Sequence, residues 1–139
     1  MNSEDLSTEE PRPRWSVNLE WFIEANRSFS ALVQGCLCPG CRERLKEEQG
    51  QIAPVDLLVA VRDCCSKAPD FISGELPILE SVFRLFLASG NQPLDLEELS
   101  RRLDECRGGD SYRTSPEILS RLLGSDRYYG LQQIKEPDS

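Results

Sequence analysis

Apolar residues recur at helical spacing along most of the chain, and glycine or proline follows each run. The first stripe has Ser16 as its N-cap and Gly35 as its stop, which predicts one amphipathic helix with a buried face of Val17, Trp21, Phe22, Ala25, Phe29, Leu32 and Val33. A short charged helix is predicted over 42–48. A largely apolar helix follows over 55–66, with Pro54 in its first turn.

The second half begins with two further helices. Adjacent apolar pairs repeat every four residues after Pro77 and predict a helix that ends at Gly90. Asp95 and Glu98 have the Asp-x-x-Glu spacing of a capping box, so the next helix is predicted to start there. Its buried stripe is predicted to consist of Leu96, Leu99, Leu103 and Cys106.

The last predicted helix begins at Ser115 and ends at Gly124, and residues 128–134 have β character. The fold class predicted from these patterns is mainly α, with one or two short strands in the C-terminal part. Four segments are expected: a disordered tail over 1–14, a cysteine-rich helical unit over 15–70, a second domain over 76–134, and a tail over 135–139.

Composition narrows the function classes. The 139-residue chain carries a formal net charge of -8 and contains no histidine. Histidine-dependent nucleophile pairs and mixed Cys/His zinc sites are therefore excluded, and no glycine-rich phosphate loop is present, so neither an enzyme nor a small-molecule substrate is predicted. No apolar run is long enough for a bilayer span and no signal pattern is found, so we expect a cytoplasmic protein with no membrane partner.

The cysteine pattern predicts a metal centre. Cys36, Cys38 and Cys41 surround a Pro-Gly turn, and Cys64 and Cys65 follow at the end of the third predicted helix. A Cys-x-x-Cys turn offers two thiolates to one ion with little strain, and structural zinc prefers four tetrahedral ligands. Cys38 and Cys41 fit that spacing best. The remaining two ligands are left open among Cys36, Cys64 and Cys65, because adjacent residues in a helix point about 100° apart.

Other uses of these thiols stay open at this stage. Three close cysteines with one more could also ligate an iron–sulfur cluster, and the thiols could form a redox disulfide or pack as reduced core residues. Cys106 is expected to be a small core residue. If zinc is the metal, it would staple a unit too small for a large core, and a chelator should loosen 16–68 and leave 76–134 folded.

Residues 76–134 resemble the winged-helix family, and more loosely its HARE-type branch. The turn over 90–99, which leads into the capped helix, and the closing Tyr128-Tyr129-Gly130-Leu131 carry the resemblance. The family implies a recognition helix over 115–123 lying in the major groove of DNA. That helix offers Ser120 and Arg121, and the other candidate nucleic-acid-binding residues are Tyr112, Arg113 and Arg127.

Three functional hypotheses follow from the sequence. The favoured one is a non-catalytic, metal-stabilised interaction protein with a protein partner, acting as an adaptor or transcription-associated subunit. A DNA-binding regulator is the first alternative, although a net charge of -8 opposes phosphate binding. An iron–sulfur or thiol redox sensor is the second.

Overall fold

The computed structural model describes residues 13–46, 53–67, 71–108 and 114–134. Within these ranges the chain is mainly helical, as predicted, with a small antiparallel sheet. None of the described helices is both long and apolar enough to cross a bilayer. In chain order the elements are β1 (Arg14–Val17), α1 (Leu19–Glu24), α2 (Phe29–Gln34), α3 (Pro39–Lys46), α4 (Pro54–Asp63), a 3-10 helix (Cys65–Lys67), α5 (Ile78–Ala88), β2 (Leu94–Asp95), α6 (Leu96–Arg107), α7 (Pro116–Gly124) and β3 (Leu131–Ile134).

The sheet is built around the strand nearest the start of the described chain. Strand β1 lies between β2 and β3 and is antiparallel to both. Trp15 is paired with Leu94 on one side, and Val17 is paired with Leu131 on the other. Both β1 residues are buried, which is the period-two pattern of a strand with one face on a core.

The prediction of a single helix from Ser16 to Gly35 is wrong. The segment contains the end of strand β1 and two short helices, α1 and α2. Asn18 caps α1 by accepting the backbone N–H of Glu20, and the Ser28 hydroxyl caps α2 in the same way through Ala31. Between them Asn26 has a φ of 58°, a left-handed conformation that ends a helix. These cap-forming side chains override a stripe that looks continuous.

Helices α5, α6 and α7 follow their predicted ranges closely. The Asp95 side chain accepts the backbone N–H of Glu98 at 2.8 Å, as the capping-box spacing predicts. The Glu98 carboxylate forms ion pairs with Arg101 and Arg102. The prediction for Cys106 is also wrong: its side chain is exposed rather than part of the core, and the next buried residue of α6 after Leu103 is Arg107.

One hydrophobic core spans both predicted units, so the boundary at 70–76 does not separate two cores. Phe29 of α2 stacks edge-on against Phe83 of α5, with ring centroids 6.4 Å apart. The 76–134 segment also lacks the middle strand of its own sheet, which β1 supplies. Arg14 belongs to that strand, so the predicted tail over 1–14 extends too far. Residues 1–12 and 135–139 lie outside the described residues.

The connection between α5 and β2 is fastened to β1 by one side-chain amide. Asn91 has a φ of 62°, and its Oδ1 accepts the backbone N–H of Val17 at 2.9 Å. Its Nδ2 donates to the Val17 carbonyl, also at 2.9 Å. The amide thus occupies the place of another strand residue beside β1.

Tyr129 provides a pH-dependent test of this packing. Burial, reinforced by the Glu80 charge, raises the pKa of Tyr129 to about 12. The folded chain therefore keeps a proton that an unfolded tyrosine loses near pH ~10, so stability falls as pH rises from about 10 to about 12. Urea unfolding at about pH 8 and about pH 11 should show a larger loss for the natural chain than for Tyr129→Phe. Equal losses in the two proteins would contradict this packing.

Candidate metal centre

The candidate metal centre is formed where the connection between α2 and α3 meets the end of α4. Helix α3 starts at Pro39, earlier than predicted, which places Cys41 in its first turn and Cys38 immediately before it. The Cys38 carbonyl accepts the backbone N–H of Arg42 at 2.9 Å. The Cys-x-x-Cys segment is therefore a helix start that aims two sulfurs at the same side.

Both sulfurs of the second cysteine pair approach the Cys38 sulfur, and α4 ends one residue before this pair. The last helical residue is Asp63, and Cys64 has φ and ψ of -131° and -63°. Cys65 then begins the 3-10 helix. Because the two residues do not share one helical path, the 100° separation expected within a helix does not apply. The break in the helix is the condition under which both sulfurs can face one centre.

Three sulfurs of the centre are mutually close, and the fourth, that of Cys65, approaches one of them. Cys38, Cys41 and Cys64 have sulfurs that all lie within 4.8 Å of one another. The Cys38 sulfur lies 3.8 Å from that of Cys64 and 3.5 Å from that of Cys65. With zinc–sulfur bonds of about 2.3 Å, the edge of a tetrahedron of sulfurs is about 3.8 Å. Cys38, Cys41, Cys64 and Cys65 thus lie close together and can hold a metal ion.

Cys36 is a candidate ligand that the structure places apart. Its sulfur lies outside the group of mutually close sulfurs and, unlike that of Cys65, makes no contact with the Cys38 sulfur. Its thiol instead points back along α2 toward the Leu32 carbonyl, 3.9 Å away, and is buried. Burial raises the pKa of Cys36, against an opposing effect of the Arg84 cation. The candidate ligands that the sequence left open are therefore narrowed to Cys38, Cys41, Cys64 and Cys65.

Hydrogen bonds and burial distribute charge unevenly over the four sulfurs. The Cys41 backbone N–H, and after it the Cys65 thiol, lowers the pKa of Cys38 to about 7. Hydrogen bonding to Cys41 and then Cys38 raises the pKa of Cys64 to about 11. Burial raises the pKa of Cys41 and Cys65. Negative charge therefore settles first on Cys38, and a cation is required before all four sulfurs are ionised together.

Two further contacts at the centre could not be found from cysteine spacing alone. The backbone N–H of Cys38 donates to the Cys65 sulfur at 3.2 Å. The Arg44 guanidinium lies 3.6 Å from the Cys41 sulfur as a charged donor. Donors of this kind orient thiolates and offset their charge. Arg44 is one turn beyond Cys41 on α3, and this spacing is the only sequence signal for its role.

The candidate nucleic-acid-binding residues do not meet at one described site. Ser120 and Arg121 lie on the exposed face of α7, beside the exposed carboxylate of Glu117. Arg127 is also exposed and donates to the carbonyl of Asp126 at 2.9 Å. Tyr112 and Arg113 lie outside the described residues.

Comparison of the chain with protein-family models, with curated proteins and with solved structures finds no match. Function is therefore inferred from the residues of the chain itself.

Proposed function

We propose that this protein binds one structural zinc ion through Cys38, Cys41, Cys64 and Cys65 and acts as a non-catalytic interaction protein. The observation that carries the metal assignment is the pair of sulfur separations from Cys38, 3.5 Å and 3.8 Å, beside a tetrahedral edge of about 3.8 Å. An all-thiolate donor set is the set that structural zinc favours.

A single ion fits these distances better than a cluster. In a [4Fe–4S] cluster each cysteine binds a different iron, and in a [2Fe–2S] cluster each iron takes two cysteines, so a cysteine sulfur has at most one other cysteine sulfur at the tetrahedral edge. The contacts between Cys38 and its two neighbours are too short for that arrangement. Zinc also has no redox chemistry of its own, which suits a site whose role is to hold two chain segments together.

Elemental analysis of the purified protein tests this assignment. About one zinc per chain is expected, with loss of the metal in Cys38→Ser, where three sulfurs remain. Cys36→Ser is the matched control, because its sulfur belongs to the same short segment but points toward Leu32, so its zinc content should be unchanged. Zinc lost equally from both variants would overturn the ligand set, and iron in place of zinc would favour a redox function.

The assignment of a non-catalytic role depends on the number of protein ligands at the proposed site. Four protein ligands leave no open position for a substrate, which is the pattern of structural rather than catalytic zinc. The order helix, strand, helix, helix, strand over 78–134 supports a winged-helix-like arrangement in which β1 provides the central strand. We assign this arrangement a protein partner, as an adaptor or transcription-associated subunit.

DNA binding is the alternative function, because Ser120 and Arg121 are exposed on α7 and could contact a duplex. The net charge of -8 works against it, because phosphate contacts supply most of the non-specific affinity. A mobility-shift experiment on random duplex DNA at low salt should show no complex. A complex that Arg121→Ala and Arg127→Ala abolish, with folding retained by circular dichroism, would favour the DNA-binding regulator instead.

A further inference from the structure

The four sulfurs of the metal centre differ in their access to solvent. Cys41 and Cys65 are buried, with relative exposures of 2% and 0%, whereas Cys38 is partly buried and Cys64 is exposed. A small oxidant approaching from solvent therefore reaches Cys64 first. The site is closed to substrates by its ligand number, yet one of its ligands lies at the surface.

The exposed sulfur has a suitable partner for a disulfide. The Cys64 and Cys38 sulfurs are 3.8 Å apart, compared with about 2.05 Å in a disulfide bond. Cys64 is the residue at which α4 ends, and Cys38 lies in the connection before α3. Neither residue lies in a helix interior, so the sulfurs can approach without breaking a helix. The Cys65 sulfur is nearer to Cys38, at 3.5 Å, but is buried and accepts the Cys38 backbone N–H.

We propose that the metal centre is a peroxide-sensitive switch in which oxidation joins Cys64 to Cys38 and releases the metal; this inference rests on the proposed metal site. The Cys64 sulfur, which is a thiolate when the metal is bound, attacks hydrogen peroxide, the O–O bond breaks, and a sulfenic acid and hydroxide form. The Cys38 thiolate then attacks the Cys64 sulfur and expels a second hydroxide as the S–S bond forms. The two sulfurs lose two electrons in total, and the peroxide gains them.

Two of the four ligands are consumed in this reaction, so the remaining pair cannot complete a tetrahedral shell. The metal leaves, and a covalent bond replaces it between the start of α3 and the end of α4. A thiol reductant reverses the change by reducing the disulfide, after which the ion can bind again. The centre thus has two linked states, which differ in whether a metal or a disulfide holds the two segments.

The test uses the full-length, zinc-loaded protein treated with hydrogen peroxide in the presence of a chromogenic zinc chelator. We expect release of about one zinc per chain, and peptide mapping after alkylation of free thiols should identify a Cys38–Cys64 disulfide. Dithiothreitol with added zinc should restore the metal content. Cys106 is an internal reference, because it is an exposed thiol outside the centre, and Cys106→Ser should release zinc at the same rate.

Two results would overturn the switch and leave the metal site standing. Zinc retained at a peroxide dose that fully oxidises Cys106 would show that the centre is protected. Release accompanied by a different linkage, such as Cys38–Cys41, would show that exposure of Cys64 does not direct the reaction. A protein that contains no metal before treatment would instead overturn the proposed function, and the switch with it.

Discussion

Removal of the metal, by a chelator or by Cys38→Ser, should destabilise the segment from 35 to 67 far more than the sheet. The binding free energy of a structural zinc ion is about 10 kcal/mol or more, and it is lost from the folded state when the ion leaves. In the proposed metal site the ion links the start of α3 to the end of α4. Strand β1 is held instead by β2, β3 and Asn91.

Hydrogen–deuterium exchange with mass spectrometry measures this difference peptide by peptide. Protection should fall in peptides from α3 and α4 and persist in those that cover β1, β2 and β3. Cys106→Ser is the control for removal of a thiol, and its exchange should match the natural protein. Equal loss of protection in the sheet would contradict the account, as would unchanged exchange in α3 and α4.

This expectation differs from the one that the sequence suggests. The sequence predicts that chelation loosens 16–68 as a unit. In the structure β1 is part of that range and is also the central strand of the sheet, so its protection should not follow that of α3. We expect the loss of protection to extend no further than α2. Phe29 of α2 packs against Phe22 and Phe83 in the core, and these contacts do not involve the metal.

Gly130→Ala should destabilise the fold strongly and leave the candidate metal centre intact. Gly130 has a φ of 68°, and an added Cβ would lie 2.7 Å from Cε2 of Phe22, a ring in the core. The left-handed backbone costs about 1–2 kcal/mol for alanine, and the forced shift of a packed ring costs about 1–3 kcal/mol more. The backbone carbonyl of Gly130 also accepts the N–H of Asn18 at 2.8 Å, which limits local relaxation.

Gly108→Ala separates these two contributions. Gly108 has a similar φ of 82°, but nothing lies within 4 Å of its added Cβ. It should lose only the backbone part, about 1–2 kcal/mol, in urea unfolding. If the two alanine variants have the same stability, the close packing of Phe22 against Gly130 is contradicted.

The parts of the fold that the sequence predicts are those governed by local signals. Asp95 starts α6 and Ser115 starts α7, because a cap acts within one turn of its own helix. The strand at Arg14–Val17 could not be predicted in this way. Trp15 and Val17 alternate for too short a distance to outweigh the helical stripe that follows, and their partners lie far away in sequence.

The close group of cysteines was predicted in outline for a similar reason. The Cys-x-x-Cys turn is a local pattern, so Cys38 and Cys41 could be assigned directly. The other ligands depended on where α4 ends, and helix ends are uncertain by one or two residues in sequence reasoning. The end at Asp63 decides between Cys36 and the Cys64–Cys65 pair. The role of Arg44 could not be predicted from the sequence either, because it depends on a contact with the Cys41 sulfur in the folded chain.

X-ray absorption at the K-edge of the bound metal tests the central claim most directly, since it reports the identity, number and distance of the ligand atoms. The account predicts zinc with four sulfur neighbours at about 2.3 Å and no second metal nearby. Nitrogen or oxygen in the first shell would contradict it, and so would iron with a neighbouring iron.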